Sequence, residues 1–395
     1  MHDILLKYFI RNYENVKSPI VREQYGKLGS IVGIVVNVFL FIIKFAVGTW
    51  SHSVSITGDA VNNLSDAGSS VISLVSFKMS TKPPDIDHPF GHARIEYIAS
   101  SIVGFLILLI GWELIKTSFD KILHPSIIEF SMITVFVLVF SILAKLWLYR
   151  FNTHIGKRIN SSVMTATAAD SLADVAATSA VLASTIISPL IGFQLDGYMG
   201  VAVAIFIMIS AIKILKEMLD SLLGRMPSNQ LINMIVTYIR KYPGVMGIHD
   251  LIVHDYGPHR CFASVHVEVD AKVDVLESHD LIDNIERDIS AELGIPLVIH
   301  MDPIVRDDPF VNQMYQITEQ VIKKIDPSIS MHDFRVVKGA THSNIIFDVT
   351  VPFNYKREES QIIEDITRGI KEININLYPV ITIDRSYVDY SKLSD

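Results

Sequence analysis

Two short stretches decide how this chain is read: Gly58-Asp59-Ala60-Val61-Asn62-Asn63-Leu64-Ser65-Asp66 and Asp170-Ser171-Leu172-Ala173-Asp174. Each carries a polar pair at i, i+4, Asn62 with Asp66 and Asp170 with Asp174. On a helix, such a pair lies on one face. Both stretches sit within long apolar segments, where an ionised carboxylate costs roughly 3 kcal/mol even on lenient insertion scales. Two helices packed face to face would bring one amide and three carboxylates to a common point, a four-ligand site for a hard divalent cation. The competing reading is that the acids are neutralised by intramembrane bases, for which Lys44 and Lys145 are available. That reading accounts for the charge but not for two matching pairs. Asp59, one turn before Asn62, reads equally well as a helix cap near the membrane surface.

Working outward, a bilayer core needs about 20 apolar residues per helix. Six stretches qualify: 28–50, 54–79, 97–119, 130–149, 161–191 and 198–215. The whole chain of 395 residues is 50% hydrophobic and 19% charged, below the quarter charged that is usual for soluble chains. Its mean hydropathy is +0.37. The net charge of -8 argues against a nucleic-acid partner, which would want a basic face. The single cysteine, Cys261, excludes an intrachain disulfide and a thiolate metal cluster. Basic residues collect in the arm 1–27, in the links after the second and fourth stretches, and after the sixth. The links 51–53 and 192–196 have no Lys or Arg. Positive loops stay inside, so both termini are expected in the cytoplasm, with the multi-pass protein in the plasma membrane. No cleaved signal peptide is expected. The segment 161–184 is rich in Ala, Ser and Thr, which let membrane helices approach closely.

From Pro227 the pattern becomes soluble α+β. Helices are predicted at 229–241 and 279–293, and strands at 249–256, 261–270 and 297–302. In 261–270 alternate residues, Cys261 to Val269, face one way. The order then recurs: helix 312–325, strands 331–337 and 344–352, helix 359–373, strand 380–384. His332-Asp333-Phe334 echoes His249-Asp250-Leu251. The predicted fold is thus an all-α six-helix membrane bundle followed by a cytoplasmic αββαβ domain and a second, diverged αββαβ repeat. The expected divisions are 1–27 (cytoplasmic arm), 28–222 (transmembrane), 227–306 (metal-binding αββαβ) and 307–395 (second αββαβ).

Histidines gather outside the spans. Asp85, His88 and His92 lie in the link after the second stretch and can hold a metal at the membrane surface, or simply make a solvated loop. His249, His266, His279, His300 and Asp302 lie on the elements of the first αββαβ unit; His300 and Asp302 share a strand face. They can build a mixed imidazole–carboxylate site, or be scattered surface groups among fourteen histidines. In the second unit His332 answers His249, Asp348 stands where His266 would be, and no histidine matches His300. That unit is expected to have lost the site.

Taken together, these residues resemble the cation diffusion facilitator family of metal–proton antiporters, over about residues 26–302. The run from Gly58 to Asp66 looks like the family's second-helix signature, and Asp170 to Asp174 like its fifth-helix signature. The resemblance implies that Asn62, Asp66, Asp170 and Asp174 form the transport site, that Asp85, His88 and His92 form a loop site, and that His249, His266, His279, His300 and Asp302 form a cytoplasmic binuclear site that stabilises a homodimer. Zinc-type members have a histidine in the intramembrane set, and the all-oxygen combination here looks like the bacterial manganese branch. Oxygen ligands suit manganese, magnesium and calcium, and imidazole or thiolate suits zinc. The expected function is export of Mn²⁺ against protons by alternating access, without enzymatic activity, with lipid, protons and divalent metal as partners and no organic cofactor. The alternatives are export of Fe²⁺, Zn²⁺ or Co²⁺ by the same fold, a membrane metal sensor or scaffold, and a channel. After residue 306 the chain departs from the family pattern.

Overall fold

The computed structural model describes residues 2–16, 18–50, 54–124, 132–191, 195–258, 260–305, 307–353 and 355–386. The expected links 51–53 and 192–194, Phe130 at the start of the expected fourth span, Arg306 and the side chain of Asp59 lie outside the described residues. The chain forms two compact units, Met1–Arg225 with Tyr256–Arg260, and Met226–Asp255 with Cys261–Asp395.

The first unit is helical: α1 (His2–Phe9), α2 (Pro19–Trp50), α3 (Val54–Ser80), α4 (Ile95–Leu123), α5 (Met132–Arg158), α6 (Ser162–Ile191) and α7 (Asp196–Leu223). Within them Ile20–Val47, Ile95–Leu123, Val135–Arg158 and Gly197–Leu223 are long and apolar enough to cross a membrane, with mean hydropathies of 2.5, 2.2, 1.5 and 2.2. Among the described residues, therefore, four helices meet the requirement where six were expected. The two acid-bearing helices, α3 and α6, carry Ser, Thr, Asn and Asp among their apolar residues. Val35, Phe39, Phe105, Trp112 and Ile209 are exposed on the helices, an apolar surface of the kind that lipid covers.

Close helix approach depends on small residues. A Cβ on Gly26 of α2 would lie 2.2 Å from the Phe77 ring of α3, and one on Gly200 of α7 would lie 2.1 Å from Ser118 Oγ of α4. Both positions admit only glycine without displacement of the neighbour.

Helix α2 begins at Pro19, upstream of the apolar stretch 28–50, and the charge at Arg22 within it is answered internally. Arg22 is buried and donates from both terminal nitrogens to the Glu96 carboxylate, with Nη2 to Oε2 at 2.7 Å. Its Nε donates to the Ile159 carbonyl at 3.1 Å, and Ser161 Oγ donates to Glu96 Oε2 at 3.2 Å. This bidentate pair ties α2 and α4 to the turn between α5 and α6.

The second unit contains α8 (Asn229–Arg240), β1 (Gly247–Asp255), β2 (Cys261–Asp270), α9 (Val275–Leu293) and β3 (Leu297–Ile304), followed by α10 (Pro309–Ile325), β4 (Ser330–Lys338), β5 (Ser343–Pro352), α11 (Glu359–Ile373) and β6 (Leu377–Ser386). Two three-stranded sheets result, ordered β1-β2-β3 and β4-β5-β6. In each, the first pair is antiparallel and the second parallel, the parallel pair joined through a helix as such pairs require. Val265, Val267 and Val269 of β2 are buried against Ile285 and Ile289 of α9; Phe347 and Val349 of β5 are buried against Ile362 and Ile366 of α11. Asp274 and Asp308 cap α9 and α10, accepting from the amides of Leu276 and Phe310.

Removing one partner of a buried ion pair costs about 3–5 kcal/mol. Glu96→Ala is therefore expected to lower the thermal unfolding midpoint in detergent markedly. Glu23→Ala, which breaks the more exposed Lys27–Glu23 pair on α2, should barely move it. Equal effects of the two would deny Arg22–Glu96 its structural role.

Candidate functional site

Three of the intramembrane residues, Asn62, Asp66 and Asp174, come together at a lysine, and Asp170 is buried one turn before Asp174; among the described residues the three acids do not converge as a metal-ligand grouping. Asn62 and Asp66 lie one turn apart on α3, and Asp170 and Asp174 one turn apart on α6. Lys145 of α5 donates from Nζ to Asp66 Oδ2 at 2.7 Å and to Asp174 Oδ2 at 2.5 Å. Asn62 Nδ2 donates to Asp174 Oδ1 at 3.1 Å, and Asn63 Nδ2 to Asp66 Oδ2 at 3.4 Å. Asp66, Asp170 and Lys145 are buried, and Asn62 and Asp174 are half-buried. The sequence offered Lys145 only as a rival account of charge neutrality, and the structure makes it a member of the cluster.

The loop residues also converge. Asp85 Oδ1 lies 3.3 Å from His88 Nδ1, and Asp85 Oδ2 lies 3.5 Å from His92 Nε2. The two rings are 4.6 Å apart. A hydrogen bond from Lys82 at 2.6 Å, with one from the His88 amide, holds the Asp85 carboxyl well below the usual carboxylate range. His92 is buried, and its Nδ1 has no hydrogen bond.

On the first sheet Asp302 is the hub. His249 Nε2 lies 3.1 Å and His266 Nδ1 2.9 Å from Asp302 Oδ2, and His300 Nε2 lies 3.3 Å from Oδ1. The strands dictate this. His266 is in register with both His249 and His300, and Glu268 with Asp302, so alternate residues present their side chains to one face. Burial pushes the Asp302 carboxyl up, but hydrogen bonds from His249 and His266 outweigh it and hold it below its ordinary value. The imidazoles of His249 and His266 and the Asp302 carboxylate each place one ligand atom within 4.8 Å of the others, a donor set that fits a divalent cation; the buried His249 Nδ1 has no hydrogen bond. His279 is exposed on α9 and lies outside this grouping among the described residues.

A further grouping was missed. His332 on β4 lies 3.3 Å from Asp250 Oδ2 and 3.6 Å from Asp384 Oδ2 through Nε2. Its ring stands 4.3 Å from that of His249. Burial lowers the proton affinity of His332, but the carboxylates of Asp250, Asp348 and Asp384 overcome this and raise it. Burial, with the charges of Asp250 and Asp348, pushes the Asp384 carboxyl up. The expectation that the second unit had lost its ligands came from seeking a match to His300. The ligand-type residue lies two residues further along the strand, at Asp384, the register equivalent of Asp302, a position that pairing reveals and residue identity does not.

Residues 30–223 match the cation efflux transmembrane domain, and residues 227–304 match the cytoplasmic domain of cation efflux proteins. An uncharacterized transporter of Methanocaldococcus jannaschii is 32% identical over 64% of this chain and 88% of its own length. The manganese efflux system protein MneS of Bacillus subtilis is 29% identical over 71% of this chain and 96% of its own. The cation-efflux pump FieF of Klebsiella pneumoniae is 26% identical over 72% and 95%. Fold, cluster and likeness define a membrane transporter of cations and not an enzyme. The chain belongs to the cation efflux family, the cation diffusion facilitators. Helix α10 and all that follows lie beyond both matched domains.

Lys145→Met should leave Asp66 and Asp174 without their shared cation, at a cost of about 3–5 kcal/mol. Adding Asp66→Asn should recover part of that loss in metal-free detergent. A double-mutant cycle on thermal unfolding measures the coupling; strictly additive losses would show that Lys145 does not neutralise the acids.

Proposed function

We propose that this chain exports Mn²⁺ from the cytoplasm in exchange for protons, through a site made of Asn62, Asp66, Asp170 and Asp174. The observation that carries the reading is the all-oxygen cluster closed by the Lys145 ammonium. Lys145 stands in for the ion in the metal-free protein. Mn²⁺ enters from the cytoplasmic side, displaces the ammonium from Asp66 and Asp174, and meets one amide and three carboxylate oxygens, donors that suit a hard cation. The bundle then rocks outward. Protons compete the metal off, and the return of Lys145 with protonated acids couples export to inward proton flow. One tight site reached alternately from two sides suits a transporter better than a pore. The manganese relative supports the choice of ion.

The same reading places six membrane spans in α2 to α7, with both termini in the cytoplasm and the protein in the plasma membrane, on the asymmetry of Lys and Arg between loops. The working protein is a homodimer. Asp85, His88 and His92 form a loop metal site; His249, His266, His300 and Asp302 hold a resident divalent metal on the first sheet, with His279 contributing only if the partner or a local movement brings it in. That metal supplies charge neutralisation and cross-linking of β1, β2 and β3, and takes no part in transport.

Asp66→Ala and Asp174→Ala are each expected to abolish Mn²⁺ uptake into proteoliposomes under an imposed pH gradient while the purified protein stays folded. Each removes an anionic ligand whose charge water cannot replace. Wild-type rates in either variant would discard the assigned site, and running Fe²⁺, Zn²⁺ and Co²⁺ alongside identifies the preferred ion.

Selectivity rests on Asn62. Its amide oxygen is a hard, neutral donor, and an imidazole there favours tetrahedral Zn²⁺. Asn62→His is expected to raise the ratio of initial Zn²⁺ to Mn²⁺ flux in the same vesicles. A ratio that stays level or falls, in a protein that still transports, would move the origin of selectivity elsewhere.

A further inference from the structure

Four ligand-type side chains meet where the two αββαβ sheets face each other, and neither the transport cluster nor the Asp302 hub uses them. Three of them, His332, Asp348 and Asp384, come from the second sheet, at places equivalent to ligand-type residues of the first, and the fourth is Asp250 of the first sheet. His249 is in register with His266, and His332 with Asp348; Glu268 is in register with Asp302, and Thr350 with Asp384. Hence His332, Asp348 and Asp384 occupy in the second sheet the positions of His249, His266 and Asp302 in the first. Both sheets also shift register just after the histidine, between His249 and Ile252 and between His332 and Arg335. Such bulges re-aim side chains. The residue following each histidine takes the left-handed conformation, Asp250 at φ 50° and Asp333 at φ 49°, which is uncommon for a residue with a side chain. The two aspartates then differ. Asp333 is tied to Arg335 at 2.7 Å, whereas Asp250 reaches across to His332.

His249 and His332, equivalent residues, stand ring against ring at 4.3 Å. Contact of a residue with its own equivalent is what the axis of an isologous interface produces. Here the two halves belong to one chain.

The chemistry at this seam is that of a metal ligand set. His332 is 8% exposed. Its Nδ1 is held by Thr350 Oγ1 at 3.1 Å, and its buried Nε2 makes no well-formed hydrogen bond although two carboxylates lie within 3.6 Å. An imidazole fixed through one nitrogen and presenting the other to open acceptors is the arrangement found where histidine binds a metal. A single proton on Nε2 cannot serve both the Asp250 and the Asp384 carboxylates, which are partly exposed beside it, whereas one divalent cation can meet several carboxylates at once. One ligand atom from each of His332, Asp348 and Asp384 lies within 4.8 Å of the others, and the same holds for His249, Asp250 and His332.

We propose that His332, Asp250, Asp348 and Asp384 form a divalent-cation site that clasps the second αββαβ unit onto the first. One imidazole and three carboxylates suit a hard or borderline ion, so Mn²⁺ is the probe. The inference stands apart from the transport reading, since it uses none of the same residues.

The test uses the full-length protein in detergent, stripped with chelator and dialysed against Mn²⁺. Two quantities are read: Mn²⁺ bound per chain by elemental mass spectrometry, and the rate at which limited proteolysis separates residues 309–386 from the rest. Mn²⁺ is expected to slow that separation several-fold in the wild type. Asp348→Asn combined with Asp384→Asn should lose one Mn²⁺ per chain and the protection with it. Asp348→His, which places in the second unit the residue type the first has at His266, should keep both and so shows that the fold tolerates change there. Asp66→Ala with Asp174→Ala should lose a different Mn²⁺ and keep the protection, so failure of the transport reading registers separately. Unchanged stoichiometry or unchanged protection in the double Asn variant, or no protection by Mn²⁺ in the wild type, overturns the proposal.

Discussion

Asp66 and Asp174 share one ammonium, that of Lys145, and the arrangement of the membrane unit follows from keeping these charges together. A carboxylate in an apolar helix is tolerated only when it is paired or neutralised. Here the partner comes from a third helix, so α3, α5 and α6 must meet at one level. The Ala, Ser and Thr residues of α6 let them do so. A second buried pair, Arg22 with Glu96, performs the same office at one end of the unit, joining α2 to α4. Arg22 meets a single carboxylate, whereas Lys145 is shared between two, Asp66 and Asp174.

The soluble unit solves a related problem with strands instead of helices. Pairing register sets His266 beside both His249 and His300, and carries Asp302 to the same face. The second sheet keeps the same geometry with different donors: Asp348 replaces an imidazole by a carboxylate, and Asp384 repeats Asp302. The seam between the sheets thereby acquires more carboxylate and less imidazole than the Asp302 hub. As donor sets the two groupings therefore differ in hardness. Each sheet retains its own apolar core, on Val267 and Ile285 in one and on Val349 and Ile366 in the other, so the polar seam need not carry the fold.

Much of this was legible in the residues. The i, i+4 pairs and the alternation of Cys261 to Asp270 are local signals whose physics acts within a few residues. Helix and strand limits accordingly fell close to expectation, as in β2, found at Cys261–Asp270. What distant residues do is not legible in this way: Glu96, far along the chain, answers the buried charge of Arg22 on α2. His279 is exposed on α9 and, among the described residues, outside the grouping of His249, His266 and Asp302.

By itself, the sequence determined the classes of element, the oxygen-rich character of the intramembrane ligands and the resemblance to cation exporters, because hydropathy, periodicity and residue chemistry are properties of short segments. Only the tertiary structure decided that Lys145, and not Lys44, lies between Asp66 and Asp174, that Asp384 stands where Asp302 does, and that His249 meets His332. Those facts depend on which helices pack at which depth and on how strands pair across long stretches of chain. No local pattern encodes them, since the energy that selects them is shared between residues that are neighbours only after folding.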